Sequence, residues 1–383
     1  MQQRFYSLDV FRGATVALMI LVNNPGSWSH IYGPLAHAEW HGCTPTDLVF
    51  PFFLFAVGNA LAFVLPAMEQ KSTGYFLKKI TKRALLIFAI GLFLNWSPFV
   101  KWDNDHLIAK PWEQVRILGV LQRIALAYLF AALLIFFSRP HGAFVVVGIL
   151  LLGYWGMCLF LGNPLDPFSQ SGWFGTNWDL ALLGKSHMYK MNGVPFDPEG
   201  IASTLPAIAQ VMLGYMTGAF IREKGSSYEM LAKLLVIGCA MMAIGYGWDM
   251  VFPVNKKIWT SSYVMYTTGL AILVLSIMMY SLDWSSERPG WSKFFNVFGK
   301  NPLFIFVLSG FLPRLLALFR WIDHLDTNGN PVYTSMLPWI YQHIFKPIAQ
   351  DQRVGSALYA FGMILFYWSI VYLLDRKKIY IKV

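Results

Sequence analysis

Apolar segments of about 20 residues recur along almost the whole 383-residue chain. A helix needs about 20 such residues to cross the hydrocarbon core of a membrane. Ten segments reach this length, near residues 8–24, 47–68, 80–99, 116–137, 142–162, 200–221, 231–251, 259–281, 300–319 and 354–374. Only 13% of the residues are charged, far fewer than in a soluble domain. The sequence therefore predicts an all-α polytopic membrane protein, with residues 1–383 forming a single transmembrane domain.

One further apolar segment, 335–350, is interrupted by prolines and polar residues. Pro338 and Pro347 disfavour a continuous helix, and Gln342, His343 and Lys346 reduce its hydrophobicity. We expect a re-entrant or interfacial segment, and an eleventh span only if this segment crosses the membrane.

The distribution of basic residues predicts the orientation. With the N-terminus in the cytoplasm, 17 of the 30 Lys and Arg residues lie on the cytoplasmic side, 10 lie outside and three lie within spans. By the positive-inside rule, both termini are cytoplasmic. The outer loops are then 24–46, 163–199 and 321–353. The first span lacks a small-residue cleavage site, so we expect it to remain as a permanent span, in a bacterial inner membrane.

Net charge and cysteine content argue against several classes of protein. The charge of +10 is typical of basic cytoplasmic loops facing anionic lipid, so no nucleic-acid partner is needed to explain it. Cys43, Cys158 and Cys239 lack the spacing of metal ligands, and two of them lie inside predicted spans. We therefore expect neither a metal site nor a disulfide framework.

A short polar loop, His37-Ala-Glu-Trp-His-Gly-Cys-Thr-Pro-Thr-Asp47, leads into the second span. Ionisable residues at such a boundary are costly and indicate a functional site. Thr44-Pro45-Thr46-Asp47 has the pattern of a helix capping box, so Asp47 either caps the helix alone or also orients a histidine. His37 is either a solvated loop residue or a general base. Trp40 either belongs to an interfacial aromatic belt or stacks on a sugar ring.

Several polar side chains fall within the predicted spans. Arg12, three residues after Asp9, is either a paired, snorkelling arginine or a ligand for an anion. Arg123, beside Gln122 and without an adjacent acid, favours a phosphate or carboxylate. Asn23, at the outer end of the first span, can donate to a carbonyl that becomes negative in a transition state. Further buried polar groups are Ser203, Thr204, Thr260, Ser261, Ser262, Tyr263 and Asn301. Together they predict a polar cavity through the bundle.

Seven short motifs occur in order along nearly the whole chain: Ser7-Leu-Asp-Val-Phe-Arg-Gly13, His37-Ala-Glu-Trp-His-Gly42, Thr46-Asp-Leu-Val-Phe-Pro51, Gly119-Val-Leu-Gln-Arg123, Phe196-Asp-Pro-Glu-Gly200, Asn255-Lys-Lys-Ile-Trp-Thr260 and Gly299-Lys-Asn-Pro302. They resemble the motifs of the heparan-α-glucosaminide N-acetyltransferase family. The resemblance implies a membrane-embedded acyltransferase that moves acetyl from cytosolic acetyl-CoA to the amine of a glucosamine-type sugar on the outer side.

The resemblance also assigns roles to individual residues. His37 matches the catalytic histidine of the family, Asn23 an asparagine close to the acetyl group, and Asp47 the acid that follows. The expected acetyl-CoA ligands are Arg12, Arg83, Gln122, Arg123 and Asn301. The expected acceptor-sugar contacts are Trp40, His41, Asp197, Glu199 and Trp259. His37 either activates the amine directly or carries the acetyl group as acetyl-histidine, and the sequence leaves both routes open.

The chain departs from the family's animal members in two places. Residues 41–42 are His-Gly, where the motif of the animal members resembles Asn-Gly. The chain also begins close to the first shared span, so we expect it to lack the extra extracytoplasmic domain of the animal members. The sequence therefore identifies the acceptor only as an amino sugar, and it leaves open whether the protein forms a homodimer.

A transporter is the main alternative class, because buried polar residues along ten spans also suit a carrier of N-acetylglucosamine-type sugars. A purely structural scaffold fits poorly with clustered ionisable groups.

Overall fold

The computed structural model describes residues 5–284 and 287–381 and is predominantly helical. Two basic residues counted on the cytoplasmic side, Arg4 and Lys382, lie outside these ranges. The helices are α1 Tyr6–Asn23, α2 Val49–Glu69, α3 Thr73–Trp96, α4 Val120–Leu161, α5 Gly175–Leu183, α6 Thr204–Lys224, α7 Tyr228–Asp249, α8 Ser261–Leu282, α9 Gly290–Lys300, α10 Pro302–Leu316, α11 Met336–Ile340 and α12 Gln352–Arg376. The predicted all-α polytopic fold is confirmed.

The number of spans differs slightly from the ten predicted. Within the described ranges, eight helical segments are long and apolar enough to cross a membrane, or nine if α9 and α10 form one span bent by 78°. The remaining predicted span corresponds to α3, which carries Lys78, Lys79, Lys82 and Arg83 in its first half. Because of these charges, α3 is a complete helix but is less apolar than the others.

The long helix α4 contains two of the predicted spans, Val120–Ser138 and Gly142–Leu161. A straight helix of its 42 residues would extend about 63 Å. Yet Arg123 near its start lies over the ring of Trp259, and the Tyr154 hydroxyl near its end donates to the carbonyl of Ile258. Both ends therefore reach the same place, so the two halves of α4 fold back on each other.

The segment 335–350 does not form a transmembrane helix. It consists of the five-residue α11, a π-helical turn over Tyr341–Phe345 and a 3₁₀ turn over Lys346–Ile348. The prolines interrupt the helix, as the sequence predicted.

Three antiparallel hairpins lie in the connections between helices: β1 Val100–Asp103 with β2 His106–Ala109, β3 Lys190–Met191 with β4 Val194–Pro195, and β5 Arg320–Leu325 with β6 Pro331–Ser335. The long connections contact one another at one end of the bundle. There the indole N–H of Trp102 donates to the carbonyl of Leu318 over 3.1 Å, and Gly42 forms a bridge with Asn255. This end also carries the polar loop that precedes α2.

Helix α2 packs closely along α6 through glycines. A Cβ added to Gly58 would lie 1.9 Å from the carbonyl oxygen of Val211, and one added to Gly214 would lie 2.3 Å from that of Phe55. The two backbones approach so closely that neither position accepts a side chain. This contact fixes α2, which directly follows the turn that contains Asp47.

Candidate active site

The start of α2 is a capped 3₁₀ turn, Pro45–Leu48, that holds Asp47 in place. Thr44 and Asp47 form the predicted capping box, with proline at the first helical position. One carboxylate oxygen of Asp47, Oδ2, accepts the backbone N–H groups of Ala38 and Thr44 over 3.0 and 3.1 Å. Asp47 is 1% exposed and fully fixed by these bonds. Its other oxygen, Oδ1, is left for a second partner.

That partner is His37, whose Nδ1 lies 2.7 Å from Oδ1 of Asp47. An ionised carboxylate only accepts hydrogen bonds, so in the neutral imidazole the ring proton is on Nδ1. Nε2 is then the basic nitrogen, and it has no hydrogen-bond partner within residues 5–284 and 287–381. The His37 side chain is 43% exposed, so Nε2 is accessible to a substrate. The pair has the arrangement of a general base with its orienting acid.

Lys256, from the connection between α7 and α8, lies against both members of this pair. Its Nζ is 3.1 Å from Nδ1 of His37 and 3.4 Å from Oδ1 of Asp47. Burial lowers the pKa of Lys256 below its ordinary value, although the charges of Asp47 and Glu199 oppose this effect. Lys256 therefore places its amino group where it offsets the charge of Asp47.

The same connection supports the rest of the polar loop. The amide of Asn255 lies 3.3 Å from Nδ1 of His41, and Gly42 N–H donates to the carbonyl of Val254 over 2.7 Å. Trp40 packs edge-on against Phe196, with ring centroids 5.4 Å apart, and its indole N–H donates to the carbonyl of Phe168. Two distant segments therefore hold Trp40 and His41 close to the His37 pair.

Asp197 and Glu199 are occupied by Arg116, which precedes α4. Nε and Nη2 of Arg116 bind the two oxygens of Asp197 over 3.0 and 2.6 Å, and Nη2 also contacts Glu199. Burial lowers the pKa of Arg116, but the two carboxylates outweigh burial and raise the pKa above its ordinary value. This cluster fastens the long 163–199 connection to the start of α4, so both acids support the site through Arg116.

Arg123 and Trp259 form a buried pair beneath the polar loop. The guanidinium of Arg123 lies 5.1 Å from the centre of a Trp259 ring and also donates to Ser203 and to the carbonyl of Gly200. Trp259 is 0% exposed and packs against Phe50 and Tyr263. Arg123 is therefore buried within the bundle, as expected of a residue inside a span, whereas Trp259 is enclosed by its neighbours and presents no face to a sugar.

A large cavity of about 610 Å³ begins at the opposite end of the bundle. Its lining includes Arg12, Val57, Arg83, Leu121, Lys300 and Tyr380. Arg12 pairs with Asp9, and Arg83 lies over the ring of Tyr128. The cavity extends towards the polar loop, because Leu121 is the second residue of α4.

The other predicted residues lie around these two regions. Asn301 does not line the large cavity but binds the C-terminal tail, donating to the carbonyl of Ile379 and accepting the N–H of Ile381. Gln122 is buried against Gly91 of α3. Asn23 is the exposed last residue of α1, and its amide makes no hydrogen bond within the described parts of the chain.

Comparison with known proteins places the chain in a family. A family model described as heparan-alpha-glucosaminide N-acetyltransferase, catalytic, matches residues 4–245, which is more than half of the chain. The chain belongs to this family. The relationship inferred from the seven motifs is therefore confirmed, and the matched region includes both His37 and Asp47.

Two curated members of the N-acetyltransferase family are related over most of the chain. The heparan-alpha-glucosaminide N-acetyltransferase of Homo sapiens is 26% identical over 437 residues, covering 99% of this chain and 60% of that protein. The Mus musculus protein of the same name is 26% identical over 374 residues, covering 83% and 55%. The chain thus spans less than two thirds of the length of these relatives.

Sequence reasoning missed Lys256 and Arg116 as site residues. The motif Asn255-Lys-Lys-Ile-Trp-Thr260 was recognised, but nothing in its spacing indicates which lysine faces His37. The sequence identified Arg116 only as a basic residue at the start of a predicted span. Lys256 lies 209 positions from Asp47, and Arg116 lies 81 positions from Asp197. Only the folded chain brings these pairs together.

Proposed function

We propose that this protein transfers an acetyl group from acetyl-CoA to the amine of a glucosamine-type sugar, with His37 as the general base. The observation that carries the proposal is the His37–Asp47 pair at one end of the bundle, in which Nε2 of His37 has no hydrogen-bond partner among the described residues. The large cavity supplies a route for a donor from the other end. Membership of the N-acetyltransferase family supplies the reaction class.

In this reaction the neutral sugar amine attacks the thioester carbonyl. A C–N bond forms and the C–S bond breaks, while Nε2 of His37 accepts the amine proton and the CoA thiolate leaves. Asp47 holds the imidazole in the required tautomer and stabilises the imidazolium that forms. Asn23, whose amide makes no hydrogen bond within the described residues, donates to the carbonyl oxygen as negative charge develops there. In the alternative route Nε2 attacks the thioester and the CoA thiolate leaves. The amine then attacks acetyl-histidine, and the released imidazole accepts the amine proton.

The donor is placed in the large cavity with its phosphates at Arg12, Arg83 and Lys300. Arginine and lysine are the usual protein ligands of phosphate. Phe53 of α2 lines the cavity and lies six residues beyond Asp47, or about 9 Å along the helix axis. An extended thioester arm bound along α2 thus approaches the catalytic pair from within the bundle.

The acceptor sugar is placed at the polar loop beside Trp40 and His41. An aromatic ring suits the C–H face of a pyranose, and Trp40 is held by Phe196 and Phe168 beside His37. Asp197 and Glu199 contribute through Arg116, which shapes this end of the site. By the distribution of basic residues, this end faces outward and both termini are cytoplasmic, in a bacterial inner membrane.

Thiol release tests the proposed reaction. Purified protein with acetyl-CoA and a panel of glucosamine-ended sugars is expected to form one N-acetylated product for each CoA thiol released. His37→Ala should abolish transfer but retain acetyl-CoA binding. Proteoliposomes that take up labelled N-acetylglucosamine without acetyl-CoA, and that release no thiol, would instead identify a carrier.

A further inference from the structure

A second cavity, of about 360 Å³, lies beside the large one on the far side of Arg12. We call it the phenylalanine cavity, because the rings of Phe5, Phe11, Phe55 and Phe63 line it. Its volume falls within the range of small-ligand sites. The two cavities share Asp9, Arg12, Ala56 and Ala60, so two small side chains and the Asp9–Arg12 ion pair lie between them.

Asn59 of α2 is the unusual member of this wall. It is 2% exposed, and neither its amide nitrogen nor its amide oxygen has a hydrogen-bond partner within the described residues. A buried primary amide with both atoms unpaired is costly in an apolar environment. Such a group requires an occupant of the cavity that presents a donor and an acceptor side by side.

The other wall residues restrict the chemistry of that occupant. Four phenylalanine rings favour a flat apolar ring system. Nε of Arg12 is also buried and has no hydrogen-bond partner in the part of the chain that the structure describes, although Nη2 of Arg12 binds Asp9. A guanidinium at the boundary between the cavities favours a phosphate attached to the ring system.

We propose that the phenylalanine cavity binds the adenine ring of the acetyl donor, with Asn59 paired to the adenine edge and Arg12 to an adjoining phosphate. An asparagine amide matches the donor and acceptor that adenine presents at N6 and N7. The inference rests on acetyl-CoA being the donor, and it divides that donor between two cavities. The adenine ring lies in the phenylalanine cavity, the phosphates pass Arg12 towards Arg83 and Lys300, and the thioester arm extends into the large cavity.

Two acetyl donors test the assignment. Acetyl-CoA carries adenine, whereas S-acetyl-4′-phosphopantetheine has the same thioester arm and one phosphate but no nucleotide. Asn59→Leu should raise the KM for acetyl-CoA about 10- to 100-fold and leave the KM for S-acetyl-4′-phosphopantetheine unchanged. Leu275→Phe, which fills the cavity from α8 without altering the large cavity, should give the same split. Thr217→Val is the matched control, because Thr217 lies on neighbouring α6 and its hydroxyl donates to the carbonyl of Leu213 in its own helix.

A binding measurement separates this inference from the proposed reaction. Adenosine 3′,5′-bisphosphate should bind the wild-type protein and the Thr217→Val variant but bind at least tenfold more weakly to Asn59→Leu. An equal rise in KM for both donors, or no change for either, would overturn the assignment to adenine. The assignment to adenine would also be overturned if a co-purified lipid occupied the phenylalanine cavity and was lost only from the Leu275→Phe variant. If wild-type protein binds the nucleotide but releases no thiol, the reaction is wrong and the nucleotide site stands.

Discussion

Nζ of Lys256 lies 3.1 Å from Nδ1 of His37, although 219 residues separate them in the chain. The contact joins the connection between α7 and α8 to the loop before α2. It places a cation beside the proposed base, on the side already bound by Asp47. The electrostatics of the base therefore depend on a residue beyond 245, the last residue matched by the family model.

Replacing Lys256 should slow the reaction. Nζ of Lys256 lies 3.1 Å from Nδ1 of His37 and 3.4 Å from Oδ1 of Asp47, where it offsets the charge of the buried carboxylate. Because Lys256→Met leaves this carboxylate without its cation, we expect kcat/KM to fall about tenfold in steady-state kinetics. Lys257→Met is the matched control, since Lys257 binds the carbonyl of Glu39 instead. Equal kcat/KM values for the two variants would contradict this role.

Asp47→Asn should lower kcat more than it changes donor binding. The amide cannot stabilise the imidazolium and no longer fixes the proton on Nδ1, so we expect kcat to fall about 10²- to 10⁴-fold. Single-turnover kinetics with acetyl-CoA binding measured in parallel checks this. His30→Ala, a change in the same connection between α1 and α2, should retain activity. Loss of activity with His30→Ala alone would show that the site lies elsewhere in this connection.

Asp179, in α5, should make stability depend on pH. Burial raises its pKa from 3.8 to about 6, although Ile201 N–H opposes the shift. Because the folded-state pKa lies above the unfolded one, the stability from Asp179 is fully present below pH 3.8. It is lost as pH rises through about 6, by about 3 kcal/mol.

The corresponding variant is Asp179→Asn, which does not titrate. Its thermal stability relative to wild type should increase between pH 4 and pH 7, measured in detergent by scanning fluorimetry. Asp166→Asn, a change at an exposed carboxylate, should show no such trend. A constant difference between Asp179→Asn and wild type across this range would refute the prediction.

Loosening the C-terminal tail should weaken donor binding. The Asn301 amide holds Ile379 and Ile381 over 3.1 and 2.8 Å, and Tyr380 between them lines the large cavity. Asn301→Ala removes these two hydrogen bonds and loosens this wall, so the KM for acetyl-CoA should rise about three- to tenfold with kcat nearly unchanged. Steady-state kinetics separates the two constants. A fall in kcat at constant KM would place the tail outside donor binding.

Local sequence determined much of the architecture. Apolar runs of membrane-spanning length predicted the helices, and Thr44-Pro45-Thr46-Asp47 predicted the cap that starts α2. These properties depend on residues only a few positions apart, so they can be read along the chain. The charged residues of α3 make that helix less apolar, and the prolines of 335–350 interrupt the helix there. Both effects also depend only on nearby residues.

The site required the tertiary structure, because its partners are distant in sequence. Sequence spacing favoured His37 and Asp47 but gave no reason to select Lys256, and it left the partner of the buried Arg123 open. The folded chain brings Arg123 to Trp259. The unpaired amide of Asn59 is visible only once α1, α2 and α8 enclose the phenylalanine cavity. Sequence alone therefore determined which segments are helical and which loop is polar, whereas packing decided which charges meet, since contacts between helices depend on their arrangement in space.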